Sequence, residues 1–237
     1  MFTDNRLIRS WKKDRETLKA LSLRQKLGFI FDYYKGLFFL AFILLLLLFY
    51  IGDMLWQSHR VIDLQGFFVN DRQNLFPAGE LIRDFSAYQH TPRGHRIAFE
   101  DSLYVDLDSG SEYHAASQGK IVAYTAAREL DFLVAPKELA LYYAKSFPLY
   151  DLEQLLADEP DLLARVQADL ITAKDGNGTA KACCLELKAS RFLKNPAYDG
   201  TDSYCLLVLS YTPHTQAMVS FLRYAYSLPP KDASLTP

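Results

Sequence analysis

Five histidines, His59, His90, His95, His114 and His214, are the chain's first candidates for metal ligation or proton transfer. None falls into the H-E-x-x-H pattern that sets two imidazoles on one helix face, and His90 and His95 bracket a Pro-Arg-Gly turn, so they read as turn and surface histidines. Asp101, Asp106, Asp108 and Glu112 could offer oxygens to Ca²⁺, but Gly110 falls in the wrong place for an EF-hand loop, and the run reads as a solvated turn. Cys183, Cys184 and Cys205 lie on segments expected to be neighbouring strands. Adjacent strand residues point to opposite faces, so Cys184 or Cys183, but not both, could form a disulfide with Cys205; buried free thiols are the alternative. Asn177-Gly-Thr is formally a glycosylation sequon inside a strong turn. No Gly-x-Ser-x-Gly, P-loop or dinucleotide fingerprint occurs. The expectation is a protein that is not an enzyme, with no cofactor and no metal.

The elements that must position these residues divide sharply by charge and polarity. Up to Lys35 there are nine Lys/Arg against four Asp/Glu; of the chain's 26 basic and 28 acidic residues this leaves 17 and 24 beyond it. A basic head on an acidic body argues against nucleic acid as a partner. Gly36 to Gly52 reads GLFFLAFILLLLLFYIG, with no charge. At about 1.5 Å per residue this is slightly short of a bilayer core, and flanking Tyr33, Tyr34, Lys35 and Trp56 would anchor it at the interfaces. The n-region is too long for a cleaved signal peptide, and IGDMLWQSH offers no small-x-small cleavage site. A transmembrane helix with its flank is therefore expected over 36–56. A cytoplasmic, basic, partly amphipathic helical segment precedes it over 1–35, on the side that carries the cations. An extracytoplasmic domain would follow over 57–228, with a frayed tail over 229–237. This predicts a single-pass protein of the cell membrane, with the lipid bilayer as a partner.

Beyond the span, residues 59–70 read as a strand, 75–88 as a helix, 95–107 as a strand and 113–128 as a helix. The apolar run Leu130–Pro136 has the look of a buried parallel strand, and Pro136 suits the first turn of a helix over 137–145. Two short helices (150–156, 161–170), strands at 171–174 and 179–188 around Asp175-Gly-Asn-Gly, a strand at 203–211 and a helix at 214–226 complete the pattern. The fold class expected is α/β: a mixed, mostly parallel sheet with flanking helices. Such sheets bind ligands beyond the carboxyl ends of their strands, which nominates a ligand-binding rim of Asn70, Asp71, Glu100, Asp101, Pro136 and Lys137.

The stretch GKIVAYTAARELDFLVAPKELALYYAKSFPLYDLEQLL, residues 119–156, resembles a recurrent piece of the extracellular solute-binding proteins of ABC importers, the type 2 periplasmic binding proteins. Ala126-Ala127-Arg128-Glu129, Asp131-Phe132-Leu133-Val134 and Tyr150-Asp151-Leu152 carry the likeness. Gly66-Phe67-Phe68-Val69 resembles the family's first strand, and Val219–Ala225 its late helix. The arrangement is also similar to single-pass membrane proteins of Firmicutes with a truncated domain of this kind. There the likeness lies in Phe31-Asp32-Tyr33-Tyr34-Lys35 and Cys184–Lys194. The resemblance implies one lobe of a type 2 solute-binding protein, and a role as an accessory or interaction protein associated with a transporter or other membrane subunit. The alternative is a small-ligand-binding sensor or capture domain at the cell surface. The chain departs from the family in being shorter than two lobes need and in lacking a lipobox cysteine.

Overall fold

The leucine-rich run contains no proline, and glycine interrupts it only at Gly28, Gly36 and Gly52, so little opposes a long helix. In the computed structural model, which describes residues 23–58, 60–108, 110–175, 178–194 and 198–231, helix α1 runs unbroken over Leu23–Ser58. The chain forms two units, Met1–His59 and Arg60–Pro237. Within α1 the large side chains from Phe38 to Ile51 are all exposed, around every face of the helix. Side chains are described without a gap only over 38–54, and among the described residues no helix is long and apolar enough to cross a membrane. The basic segment over 1–22 and the side chains of Tyr33, Tyr34, Lys35 and Trp56 lie outside the described ones.

The second unit is α/β. Its elements are β1 (Val61–Val69), α2 (Ala78–Gln89), β2 (His95–Leu103), α3 (Glu112–Ala126), β3 (Phe132–Pro136), α4 (Lys137–Ala144), α5 (Leu152–Leu155) and α6 (Pro160–Val166). A 3₁₀ turn (Gln167–Asp169), β4 (Leu170–Lys174), β5 (Ala180–Glu186), β6 (Tyr204–Val208) and α7 (Thr215–Ala225) follow. The six strands lie in the order β2-β1-β3-β6-β5-β4. Pairs β1/β2 and β1/β3 are parallel; β3/β6, β6/β5 and β5/β4 are antiparallel. The sheet is mixed, as expected, but not mostly parallel. A tight turn returns β5 beside β4, and β6 inserts between β5 and β3 antiparallel to both, where helical crossovers set the strands of the first half parallel.

Alternation along the strands splits the core in two. Phe68, Phe132, Val134 and Leu206 face α2, α5, α6 and α7, whereas Phe67, Leu133, Ala135 and Leu207 face α3 and α4. The first face is aromatic: Phe132 stacks on Phe221 with centroids 4.8 Å apart, and Phe68 meets Phe76, Phe99 and Phe132 at 5.1 to 5.7 Å. Gly66 makes this possible. It stands opposite Phe132 in the β1/β3 register, and a Cβ there would overlap the Phe132 ring.

Several element ends differ from the sequence reading. Helix α2 begins at Ala78 rather than Leu75, because the Asp71 carboxylate holds the amides of Leu75 and Phe76 in a loop. Strand β2 stops at Leu103 rather than Leu107. Pro136 closes β3 as the partner of Tyr204, one residue before α4. The tail expected to fray from 229 is held at its start: Pro229 O accepts from Arg223 Nε at 2.9 Å, and Lys231 pairs with Glu159. The turn after β4 closes as expected, with Asp175 accepting from Thr179 N and Gly178 at φ +78°; residues 176 and 177, with the sequon asparagine, lie outside the described ones.

Replacing Gly66 with alanine should destabilise the second unit by about 1–3 kcal/mol, by forcing the Phe132 ring out of its packing. Gly79→Ala, on α2 with open space around it, should instead be neutral or stabilising by up to about 1 kcal/mol. Denaturant unfolding midpoints of the two variants check the contrast.

Candidate functional site

Parallel strands β1, β2 and β3 end together, so the segments after them share one edge of the sheet with the end of β5 and the start of β6. The structure brings Asn70, Asp71 and Lys137 to this edge, with Pro136 in the last pair of β3. Glu100 and Asp101 sit earlier, within β2 itself, where register shifts separate them from the ends of their neighbours.

Each of these groups is already engaged. Asn70 adopts φ 59°, a left-handed conformation that asparagine tolerates better than most residues. Its side chain then stands in for a strand residue: Nδ2 donates to Val105 O at 2.8 Å and Oδ1 accepts from Val105 N at 2.7 Å. Asp71 is buried on the Leu75 and Phe76 amides, and Asp101 accepts from Ala78 N at 2.7 Å at the start of α2. Glu100 bonds Ser102 and pairs with Lys120 at 2.8 Å. Burial raises the pKa of Glu100, but its bonds from Lys120 and Ser102 outweigh this and leave it below the usual carboxylate range. Tyr104 and Tyr204 close the floor, their hydroxyls donating to the carbonyls of Asp71 and Asn70. Of the acidic run, Asp101 accepts from Ala78 N and Asp106 from Asp108 N, and among the described residues no group of three or more His, Cys, Asp or Glu side chains is placed to hold a metal ion.

The densest charge at this edge surrounds a residue the rim left out. Glu186, buried at the end of β5, accepts from the Ser203 hydroxyl and pairs with Lys188 at 2.9 Å and Lys137 at 3.3 Å. Burial alone would push its carboxyl up; the bonds from Ser203, Lys188 and Lys137 together bring it below the usual range. The first amide of α4, Lys137 N, is spent on Ser203 O at 2.7 Å. Lys137 and Lys188 are more than a third exposed, so this edge shows two ammonium groups over one buried carboxylate. The signal was present in the sequence: Glu186 is a charge at the end of the otherwise apolar Cys-Cys-Leu.

The second cluster sits at the opposite edge. Asp131 is buried at the foot of β3 and accepts from Gln65 N at 2.6 Å, from the Thr212 hydroxyl and from His214 Nδ1 at 3.0 Å. An Asp–His pair is half of a catalytic relay, but such a relay needs a nucleophile within reach of the imidazole. Here the third partner is Thr212, which bonds Asp131 directly and also accepts from His214 N, forming a turn lock ahead of α7.

Cys183, Cys184 and Cys205 are buried free thiols, and the considered bridge to Cys205 is not formed. Cys184 stands opposite Leu207 and Cys205 opposite Glu186, a diagonal relation, and diagonal strand neighbours lie about 7–8 Å apart, beyond ordinary disulfide reach. The expectation that Cys183 and Cys184 face opposite ways is also corrected. Cys183 is the extra residue of a bulge against β4, so both thiols enter the same core with Sγ atoms 3.9 Å apart. Donation from Cys184 lowers Cys183 to about 7, while burial pushes Cys205 up to about 12.

Comparison with known protein families finds no match, and comparisons with curated proteins and with solved structures find none either.

Two measurements test this geometry. Asn70→Gly keeps the backbone free but loses both bonds to Val105, and Asn70→Ala adds left-handed strain to that loss. Both should destabilise, alanine by about 1 kcal/mol more than glycine. Because the folded Glu186 carboxyl lies below its unfolded value, its stabilisation is present above about pH 4.3 and is lost as pH falls through the folded value. The wild type should therefore lose more thermal stability than Glu186→Gln on going from about pH 5 to pH 3.

Proposed function

We propose that this protein is a single-pass, membrane-anchored extracytoplasmic accessory or interaction protein. Helix α1 serves as its anchor, and its α/β domain is akin to one lobe of a type 2 solute-binding protein. The observation that carries the reading is the 36-residue helix α1, whose large apolar side chains from Phe38 to Ile51 are exposed all round. Keeping that surface in water costs about 25 cal/mol per Å², which a bilayer removes. The cation excess before Lys35 directs the N-terminus to the cytoplasm and the domain to the outside.

The non-enzymatic part of the reading rests on how the strand-end groups are used. Asn70, Asp71 and Asp101 are consumed by backbone amides and carbonyls, and Glu100 by Ser102 and Lys120. A degenerate cleft of this kind suits a domain that meets another protein, such as a transporter or another membrane subunit, better than one that closes on a solute. One observation favours the sensor alternative: the Lys137 and Lys188 ammonium groups over the single Glu186 carboxylate could hold a small anion.

Purification of the full chain in mild detergent should retain a membrane subunit through washing; recovery of the chain alone would overturn the accessory role. Protease added to intact cells should digest the C-terminal domain. Protection in intact cells and digestion in lysates would reverse the orientation. For the sensor reading, thermal-shift measurements with phosphate, sulfate and small carboxylates should show stabilisation that Lys188→Ala abolishes, and no shift across the series excludes it.

A further inference from the structure

The strand starts carry a charge pattern opposite to that of the domain as a whole. Strand β1 enters at Val61, opposite His95 of β2, and the turn before β2 is tied to it by Val61 N donating to Gly94 O at 3.0 Å. This brings Arg60, Arg93 and Arg96 to one end, all exposed. Helix α3 ends at Ala126, so Arg128 falls just before the foot of β3, and Lys174 closes β4, which runs opposite to β3 and so ends at this edge. Both are exposed. The nearby carboxylates are largely neutralised from within: Asp63 is bonded to His95 at 2.6 Å, Asp131 to Thr212 and His214, and Asp175 to Lys181 at 2.8 Å. Glu129 is exposed beside Arg128; Asp151, which accepts from Glu153 N, and the exposed Glu153 also lie near this edge, after the Leu149–Leu209 bridge. At the far ends of the strands the exposed charges include Asp106, Asp108 and Glu112. Four of the nine arginines beyond α1 thus lie at this one edge of an acidic domain.

We infer that this amino-terminal edge of the sheet docks on anionic lipid headgroups. The inference rests on the anchoring reading above and deepens it by naming the surface the domain turns to the bilayer. Two facts select lipid. Phosphate-bearing headgroups complement a cluster of guanidinium groups, which bind phosphate oxygens in pairs. In the sequence, only His59 and Arg60 stand between Ser58, the last residue of α1, and Val61, the first of β1. With α1 in a bilayer, that two-residue spacing limits how far this edge can stand from the membrane surface. Each added cation near an anionic surface strengthens the attraction about fivefold, and the attraction decays within a Debye length.

The test uses the full chain in nanodiscs of phosphatidylcholine, with or without about 30% phosphatidylglycerol. A fluorophore is placed by Ala87→Cys on the last turn of α2, next to the edge, the native thiols being buried. A second protein carries it at Asp108→Cys, at the far ends of the strands. Headgroup-labelled lipid quenches the probes. Quenching at position 87 should rise severalfold with the anionic lipid, fall back in high salt, and stay at the neutral-lipid level in the Arg93→Glu/Arg96→Glu variant. An unchanged thermal midpoint shows that this variant folds. The probe at 108 should not respond to lipid charge. Equal quenching at 87 in the two lipids, or a rise that survives in the double variant, overturns the docking surface alone. A chain that does not enter nanodiscs overturns the anchoring reading, and the docking surface with it.

Discussion

The second unit depends on one buried carboxylate. Asp131 stands where the sheet changes from parallel to antiparallel pairing. Its oxygens take the Gln65 amide of β1, the Thr212 hydroxyl and the His214 ring, while its own backbone exchanges bonds with Gln65 O and Leu209 N. A carboxylate out of water is tolerable only when hydrogen bonds replace its hydration. Here the replacements come from β1 and from the turn into α7, while the main-chain carbonyl of the same residue holds Leu209 after β6, so one residue specifies how three segments meet. The two halves of the sheet, one built by helical crossovers and one by returning strands, join at this point.

The same economy governs the strand-end edge. A left-handed Asn70 extends the β1/β2 ladder by one side-chain pair after the backbone has turned away, and Tyr104 and Tyr204 cover the carbonyls this exposes. What remains charged there, Glu186 with Lys137 and Lys188, is anchored by the register of β5 and β6. Asn70, Asp71 and Asp101 are turned inward onto backbone groups, and the exposed charge at this edge is that of Lys137 and Lys188 and of the acidic run after β2.

Much of the architecture was legible in the pattern of residues. The helix starts at Glu112, Lys137 and Thr215 fall within a residue or two of their expected places, because periodicity, Pro136 and Thr212-Pro213 are local signals. The hairpin around Asp175 and Gly178 was legible for the same reason. The strand-end rim was half legible: topology alone brings Asn70, Asp71 and Lys137 to one edge, but nothing local says that Asn70 bonds Val105 or that Glu186 receives two lysines. The reading of the vicinal cysteines erred through a bulge, which no adjacent residue announces, since it arises from a one-residue mismatch with β4.

Local chemistry therefore settled element types, turns, the apolar rod of α1 and the division of charge along the chain, because each depends on neighbours in sequence. Strand order, the antiparallel second half, the bulge at Cys183 and the pairing of Asp131 and Glu186 were decided only in three dimensions. They depend on which distant groups compete best to bury apolar surface and to satisfy a buried charge, and that competition is not resolved until the whole sheet is assembled.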